Sequence, residues 1–134
     1  MQETAKVLIV EDDPVLKQLL SHELSGAYAL SYASDGAEAL AVFEKERPAL
    51  MLLDLMLPKL DGFAVLERIR ARSDILRNVP VIVLSNLDQA NDEARARAAG
   101  ANEYLVKANV SIEEIIQHVN HLVVPSTPEA GART

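Results

Sequence analysis

The sequence contains no cysteine, only three histidines and no long apolar run. Without cysteine the chain has neither a disulfide framework nor a thiolate metal site. No run approaches the roughly 20 apolar residues of a membrane-spanning helix, and the short polar start of the chain is unlike a secretory signal. These absences favour a reduced, cytoplasmic setting.

Positive charge is also scarce, because 13 lysines and arginines stand against 20 acidic residues, for a formal net charge of −7. Binding to nucleic acid or to an anionic membrane needs a basic surface. We therefore expect neither direct nucleic-acid binding nor membrane binding by this chain. A glycine-rich phosphate loop and a Gly-x-Ser-x-Gly elbow are absent as well, so nothing supports nucleotide binding or acyl transfer.

The sequence does contain a regular alternation of short apolar runs and helical patterns. Its 134 residues, 49% of them hydrophobic, match one domain with one sizeable core. The runs predict strands at 7–10, 28–32, 50–53, 81–84 and 104–106. Continuous apolar runs suit strands buried on both faces of a parallel sheet, whereas the alternating second segment predicts an edge strand.

A helical pattern follows each predicted strand, with recognisable start and stop residues. The first helix begins at Asp13-Pro14 and ends by Gly26, and the second runs from Asp35 to about Arg47. The third helix follows Gly62, and the fourth spans Asp88 to Ala99. The fifth begins at Ser111, which forms a capping box with Glu114. On the fourth helix the predicted inward positions are Ala90, Ala94 and Ala98, so this helix buries little apolar area.

This order predicts an α/β fold, a flavodoxin-like doubly wound (βα)5 sandwich with a parallel five-stranded sheet in the order 2-1-3-4-5. We expect residues 1–124 to form the domain. Residues 125–134 have the composition of a disordered tail or of the start of a linker.

Chemically distinctive residues follow four of the predicted strands: Glu11 and Asp12, then Asp54, then Ser85, then Lys107. Ligands in such sheets bind at these strand ends. Two carboxylates about 4 Å apart repel by roughly 4 kcal/mol at an effective dielectric of about 20. We therefore expect a bound cation to neutralise the cluster of acidic residues. Ligand sets made only of oxygen atoms favour Mg²⁺. The lysine and the serine hydroxyl would then hold a tetrahedral oxyanion, which suits phosphoryl transfer to a carboxylate.

Each of these residues taken alone is more often structural. Asp13 is better explained as a helix cap than as a ligand, and a single lysine such as Lys107 is usually a surface residue. His118 and His121, three apart on the last helix, are more often a solvated face than a metal pair. The Arg68–Arg72 stretch predicts an exposed helix face. The joint order of acid, acid, hydroxyl and lysine at four strand ends is much harder to obtain by accident.

Four segments that contain these residues resemble the receiver domains of bacterial two-component response regulators. They are Val10–Pro14, Leu53–Gly62, Val83–Ser85 and Gly100–Lys107. The resemblance covers about residues 5 to 124, and the segment after the third strand is its most specific part.

The resemblance implies a role for each matching residue. Asp54 would be the phosphoacceptor. Mg²⁺ would be bound by Asp12, Asp54 and the backbone carbonyl of Met56, with Glu11 assisting. The phosphoryl group would be held by Ser85 and Lys107, and Tyr104 would be the aromatic residue that turns from solvent together with Ser85. Such a domain is a switch and not an enzyme in the ordinary sense, because it catalyses only its own phosphorylation and dephosphorylation.

The resemblance also implies partners. The phosphodonor would be a histidine kinase or a histidine phosphotransfer protein. The output surface is a separate expectation from the residues: because the fourth helix is held weakly through its alanines, we expect the face made by the fourth helix, the fifth strand and the fifth helix to respond to phosphorylation and to bind a downstream protein or a second copy of the chain.

Two departures from the family pattern keep other readings open. Ala108 follows Lys107 where the family usually has a proline in a cis bond, and a cis bond without proline costs about 3–4 kcal/mol. Asn86 stands where a small residue is usual. A pseudo-receiver that binds partners without phosphorylation is the main alternative. A phosphohydrolase would need a further acid or base near Asp54, which Leu55 and Met56 do not supply.

Overall fold

A computed structural model describes residues 4–86 and 90–123, except the side chain of Ala90. The strands are β1 (Lys6–Val10), β2 (Ala29–Ala33), β3 (Leu50–Asp54), β4 (Val81–Ser85) and β5 (Glu103–Val106). The helices are α1 (Pro14–Leu24), α2 (Gly36–Glu46), α3 (Gly62–Arg70), α4 (Ala90–Ala99) and α5 (Ile112–Leu122). The predicted start of the fourth helix at Asp88 and the predicted tail at 125–134 lie outside the described residues.

The five strands form one parallel sheet in the order β2-β1-β3-β4-β5, which confirms the predicted fold. β3 and β4 are buried at every position, as expected for central strands that are covered on both faces. β2 is an edge strand, as its alternating pattern predicts. The strand order reverses beside β1, so a crevice opens between the ends of β1 and β3.

Helices cover both faces of the sheet. α1 and α5 pack on one face around Leu20 and Ile115, and the other face holds α2, α3 and α4 around buried side chains such as Phe43. Successive strand residues alternate between the two layers, so that Leu52 belongs to the first core and Leu53 to the second. Full burial of a side chain of this size contributes about 1.5–3 kcal/mol. Within residues 4–86 and 90–123, no helix combines the length and the apolar character needed to cross a membrane.

Side-chain caps fix where four of the helices begin. Asp13, Asp35 and Asp61 each accept a hydrogen bond from a backbone N–H in the first turn of α1, α2 and α3. Ser111 and Glu114 form the predicted capping box of α5. Each cap contributes about 1 kcal/mol, and three of these helices start directly beside the strand ends that carry the candidate site.

The inward face of α4 differs from the prediction. Ala94 and Ala98 are exposed, Ala96 is fully buried and Ala99 is half-buried, while the side chain of Ala90 lies outside the described residues. The alanines of this helix offer two stripes of similar hydrophobicity, so the sequence alone could not select between them. The expectation that α4 buries little apolar area is nevertheless correct for its described residues.

Candidate functional site

The fold brings the predicted site residues to one edge of the sheet. Glu11 and Asp12 follow β1, Asp54 ends β3, Ser85 ends β4 and Lys107 follows β5. A cavity of about 620 Å³ opens at this edge, and its lining includes Glu11, Asp12, Asp54, Met56, Asn86 and Lys107. Ser85 itself is completely buried, and the cavity is lined by its neighbour Asn86.

Lys107 joins two of the carboxylates. Its Nζ donates hydrogen bonds of 3.0 Å to Asp54 Oδ2 and of 3.0 Å to Glu11 Oε2, and Glu11 Oε1 lies 2.9 Å from the same atom. The Lys107–Ala108 bond is trans, and Lys107 opens a short 3₁₀ turn, Lys107–Asn109. The lysine therefore reaches the site without the proline that the family usually has after it.

The carboxylate of Asp54 is oriented through both of its oxygens. Oδ1 accepts a 3.0 Å hydrogen bond from the backbone N–H of Met56, and Oδ2 accepts the one from Lys107. The residue is only 4% exposed. The carboxylate is therefore held at the edge of the cavity in a fixed geometry.

Glu11 carries the clearest perturbation of an acid in the site. Burial raises the pKa of Glu11 above its ordinary value, and the nearby negative charge of Asp54 raises it further, while hydrogen bonds from Lys107 and Asp13 act in the opposite direction. The sequence analysis expected these carboxylates to repel one another, and such repulsion raises a carboxyl pKa. The direction agrees, but burial is the larger cause.

Lys107 responds to the same surroundings. Burial by itself would lower the pKa of Lys107, but its hydrogen bonds to Glu11 and Asp54 outweigh that effect and hold the pKa above the ordinary value. The site therefore keeps a protonated ammonium group beside two carboxylates at neutral pH.

The donor set fits a hard divalent cation. Glu11, Asp12 and Asp54 each offer a carboxylate oxygen, and these three oxygens lie within 4.8 Å of one another. No other group of metal-ligating side chains with this spacing is found among the described residues. Asp12 is exposed, so one ligand faces solvent, and oxygen donors without nitrogen or sulfur suit Mg²⁺.

Two glycines set the loop between β3 and α3. A Cβ on Gly62 would lie 2.5 Å from the backbone oxygen of Asp54, and a Cβ on Gly36 would lie 1.8 Å from the backbone oxygen of Leu60. The loop also holds Lys59 at φ 69°, a conformation that is uncommon outside glycine. The starts of α2 and α3 therefore approach this loop so closely that side chains at the two glycines would displace it.

The apolar wall of the cavity was missed in the sequence analysis. It is built from α1 and from the chain around the start of α5, namely Val15, Leu16, Leu19, Val110, Ile112 and Ile115. Val15 is 65% exposed and Leu19 is 48% exposed. Their spacing of four residues was the available signal, because it forms a second apolar stripe beside the buried one on α1.

Tyr104 does not lie where the sequence analysis expected the resting ring. The resemblance implies a ring that turns inward from solvent, but Tyr104 is already buried, with 8% of its surface exposed. Ser85 and Tyr104 thus both lie inside the molecule in the described conformation.

Two further polar features are structural. His118 and His121 line a shallow pocket with Glu103, and His118 Nδ1 lies 3.8 Å from Glu103 Oε1. The prediction of an exposed arginine face is wrong in part. Arg68 is exposed, but Arg70 and Arg72 are half-buried and bind neighbouring acceptors.

Comparisons with known proteins agree with this geometry. The family model for the response regulator receiver domain matches residues 7–120. RpaA of Synechocystis sp., named as a DNA-binding dual master transcriptional regulator, is 38% identical over 119 residues, which are 88% of this chain and 48% of RpaA. The chain spans about half the length of the curated relatives it matches.

Solved receiver domains share the fold closely. The receiver domain of the Francisella response regulator 1452 is 32% identical, with a TM-score of 0.81 over 89% of this chain and 96% of that one. The receiver domain of the sensor histidine kinase PA1611 from Pseudomonas aeruginosa PAO1 is 30% identical, with a TM-score of 0.79 over 90% and 98%. That structure is described with a magnesium ion coordinated in its active-site cleft. The chain therefore belongs to the receiver domains of two-component response regulators.

Proposed function

We propose that this chain is a phosphorylation switch that accepts a phosphoryl group on Asp54. The observation that carries the proposal is the Asp54 carboxylate, buried at the end of the central strand and held 3.0 Å from Lys107 beside two further acids. In the transfer, an oxygen of Asp54 forms a bond to phosphorus while the bond from phosphorus to the donor's histidine nitrogen breaks. The imidazole leaves and keeps the electron pair of that bond.

The chain's own residues have separate roles in this proposal. Asp12, Asp54 and the backbone carbonyl of Met56 hold Mg²⁺, and Glu11 assists. Bound Mg²⁺ offsets the negative charge of the phosphoryl oxygens. Lys107 turns its ammonium group toward a phosphoryl oxygen, and the hydroxyl of Ser85 donates to another.

The shape of the cavity supports a protein as the phosphodonor. Its apolar wall runs along α1 and includes Val15 and Leu19, and both side chains are exposed in the same cavity as the acidic residues. A small phosphodonor needs no such surface, whereas a helix that carries a phosphohistidine would bury it. We therefore propose a histidine kinase or a histidine phosphotransfer protein as the donor, in the cytoplasm, as the family implies.

The proposed output is a change on the face formed by α4, β5 and α5. We propose that this face binds a downstream protein or a second copy of the chain, and that Tyr104 exchanges between its buried position and solvent as Ser85 engages the phosphoryl group. The net charge of −7 supports the expectation that these residues do not bind nucleic acid directly.

The test is intact mass spectrometry after incubation with acetyl phosphate and Mg²⁺. We expect one phosphoryl adduct on the parent chain and none on Asp54→Asn. Asp61→Asn is the matched control, because Asp61 caps α3 through its side chain and asparagine caps equally well. An adduct that survives in Asp54→Asn and maps to Asp12 or Ser85 would overturn the assignment. No adduct on the parent would favour the pseudo-receiver, and continuous release of phosphate would favour a phosphohydrolase.

A further inference from the structure

Met56 adds a sulfur atom to a cavity whose polar lining groups are otherwise oxygen and nitrogen. Its side chain is 58% exposed, and it lines the same cavity as Glu11, Asp12 and Asp54. The proposed phosphoryl transfer uses only the backbone carbonyl of this residue. Its thioether is therefore an accessible chemical group beside the acidic cluster that the proposed function does not use.

The backbone keeps Met56 in a fixed position next to the proposed phosphoacceptor. Its N–H donates a 3.0 Å hydrogen bond to Oδ1 of Asp54. The carbonyl of the intervening Leu55 accepts a 2.9 Å hydrogen bond from the N–H of Gly62 at the start of α3. A chemical change on the side chain of Met56 would therefore take place beside the proposed cation ligands, on a segment whose backbone is held at both residues.

The two methionines that the structure describes differ strongly in exposure. Met51 lies within β3 with none of its surface exposed and belongs to the core on the α2 face of the sheet. Met1, the third methionine of the sequence, lies outside the described residues. A peroxide must touch the sulfur to oxidise it, so exposure decides the rate. Met56 should thus react well before Met51.

Oxidation of the thioether needs only a peroxide as co-reactant. The sulfur lone pair attacks one oxygen of hydrogen peroxide, and the S–O bond forms as the O–O bond breaks. The proton of the transferred hydroxyl passes to the departing hydroxide, which leaves as water. Sulfur is oxidised by two electrons and the peroxide is reduced. Methionine sulfoxide reductases return the product to the thioether, so the modification is reversible.

This oxidation changes the kind of donor that Met56 offers to a cation. A thioether sulfur is a soft donor, whereas Mg²⁺ prefers hard oxygen donors. The sulfoxide presents an oxygen with partial negative charge to a cavity in which Glu11 and Asp54 already share the ammonium group of Lys107. The added oxygen therefore increases the attraction of this cavity for a divalent cation.

We propose that Met56 is a reversible oxidation site through which peroxide strengthens cation binding beside Asp54. This inference rests on the proposed function, because it uses the same Mg²⁺ ligands. Peroxide raises the fraction of chains that carry Mg²⁺ at a given Mg²⁺ concentration, and with it the fraction that is ready to accept a phosphoryl group.

Peptide mapping after a short exposure to hydrogen peroxide tests the modification site. We expect Met56 to gain one oxygen, and Met51 to react more slowly by about tenfold or more, because a buried sulfur reacts only after local opening of the fold. Methionine sulfoxide reductases with a thiol reductant should remove the oxygen from Met56. Equal rates for the two methionines, or a slower reaction at Met56, would overturn the assignment.

An NMR titration with Mg²⁺ tests the effect on the cation without any phosphoryl group. We expect oxidation to lower the dissociation constant for Mg²⁺ by about two- to tenfold, the range that one polar contact supplies. Met56→Gln, which offers an amide oxygen without oxidation, should bind Mg²⁺ more tightly than Met56→Leu. Peroxide should leave the dissociation constant of Met56→Leu unchanged, although Met1 and Met51 are still present in that variant.

The two titrations separate this inference from the proposed function. A parent chain whose affinity for Mg²⁺ does not rise on oxidation, or a peroxide effect that persists in Met56→Leu, would overturn the coupling. A parent chain that binds no Mg²⁺ before or after oxidation would overturn the cation site of the proposed function and the coupling with it. The oxidation rates still decide in that case whether Met56 is the modification site.

Discussion

Glu11 shows how a single buried charge can shape the chemistry of a site. It is 1% exposed, and its negative charge is balanced by Lys107, which also serves Asp54. Two carboxylates thus share one ammonium group, so the site carries an excess of negative charge that a bound cation would relieve. The charge imbalance of these side chains and their capacity for a cation therefore have the same origin.

Replacement of Glu11 by glutamine should stabilise the chain in a pH-dependent way. The folded-state pKa of Glu11 is raised above its ordinary value of 4.5, so the folded state favours the protonated form. Its ionisation destabilises the folded chain as the pH rises from 4.5 through the raised value. In magnesium-free buffer we expect Glu11→Gln to have the larger free energy of unfolding at pH 7.5, and the difference to shrink as the pH falls toward 4.5.

Urea titrations at several pH values measure this difference. Glu113→Gln is the control, because Glu113 is exposed in the first turn of α5 and should show no comparable dependence on pH. A difference that stays constant with pH, or a parent chain that is the more stable at pH 7.5, would contradict the role of Glu11 burial.

The residues at the strand ends could be predicted from the sequence, whereas the apolar wall of the cavity and the position of Tyr104 could not. The convergence of Asp54 and Lys107 follows from parallel topology, because every strand end lies at the same edge. The exposed wall formed by Val15 and Leu19 was missed, since their spacing of four residues indicates a second apolar stripe on α1 but does not show that a cavity lies beside it. The buried position of Tyr104 was missed as well, because the orientation of one side chain on an edge strand leaves no pattern in the sequence.

At the scale of elements, the start of α2 and the loop after β3 fit together through Gly36. Gly36→Ala would place a Cβ 1.8 Å from the carbonyl oxygen of Leu60, so helix or loop must shift. We expect a loss of about 1–3 kcal/mol in the free energy of unfolding, the usual cost of overpacking. We also expect slower phosphorylation by acetyl phosphate, because the same loop carries Met56.

Gly26→Ala is the matched control for this prediction. Gly26 is exposed, and nothing lies within 4 Å of a Cβ placed there. The free energy of unfolding of the Gly26→Ala variant should therefore stay within about 0.5 kcal/mol of that of the parent chain. Equal effects of the two substitutions in urea titrations would show that the contact with Leu60 does not limit the loop.

The bounds of the elements were predictable where caps and breakers are strong, and less so elsewhere. Ser111 and Glu114 form the predicted capping box, because its two hydrogen bonds are local in sequence. At α2 the carboxylate of Glu38 accepts a hydrogen bond from the backbone N–H of Ser34, one residue before the cap Asp35, whose side chain accepts from the N–H of Glu38. The rotation of α4 was less predictable, because this helix is in contact with Phe63 through Arg95, and its end at Gly100 is hydrogen-bonded by Arg70, and both contacting residues belong to α3.

For the whole molecule, the acidic cluster and the net charge of −7 predict a stabilising effect of Mg²⁺. A ligand that binds only the folded chain, at ten times its dissociation constant, adds about 1.4 kcal/mol to the free energy of unfolding. We expect thermal or urea unfolding to show this gain for the parent chain. The Asp12→Ala variant should keep the fold but show no gain in its free energy of unfolding when Mg²⁺ is added.

Sodium chloride at matched ionic strength separates site binding from general screening of charge. If sodium chloride gives the same gain as Mg²⁺, or if Asp12→Ala keeps the full response, the cation site is wrongly placed.

The hydrogen bond between Lys107 and Glu11 joins residues 96 positions apart in the chain, and this span has a consequence for synthesis. Domains fold as the polypeptide emerges from the ribosome, but Glu11 and Asp54 leave it long before Lys107 does. Pairing of such distant segments is slow compared with local helix formation. A partly synthesised chain therefore lacks the ammonium group of the site, and only a polypeptide that extends beyond β5 to Lys107 has all of the residues proposed to hold the phosphoryl group.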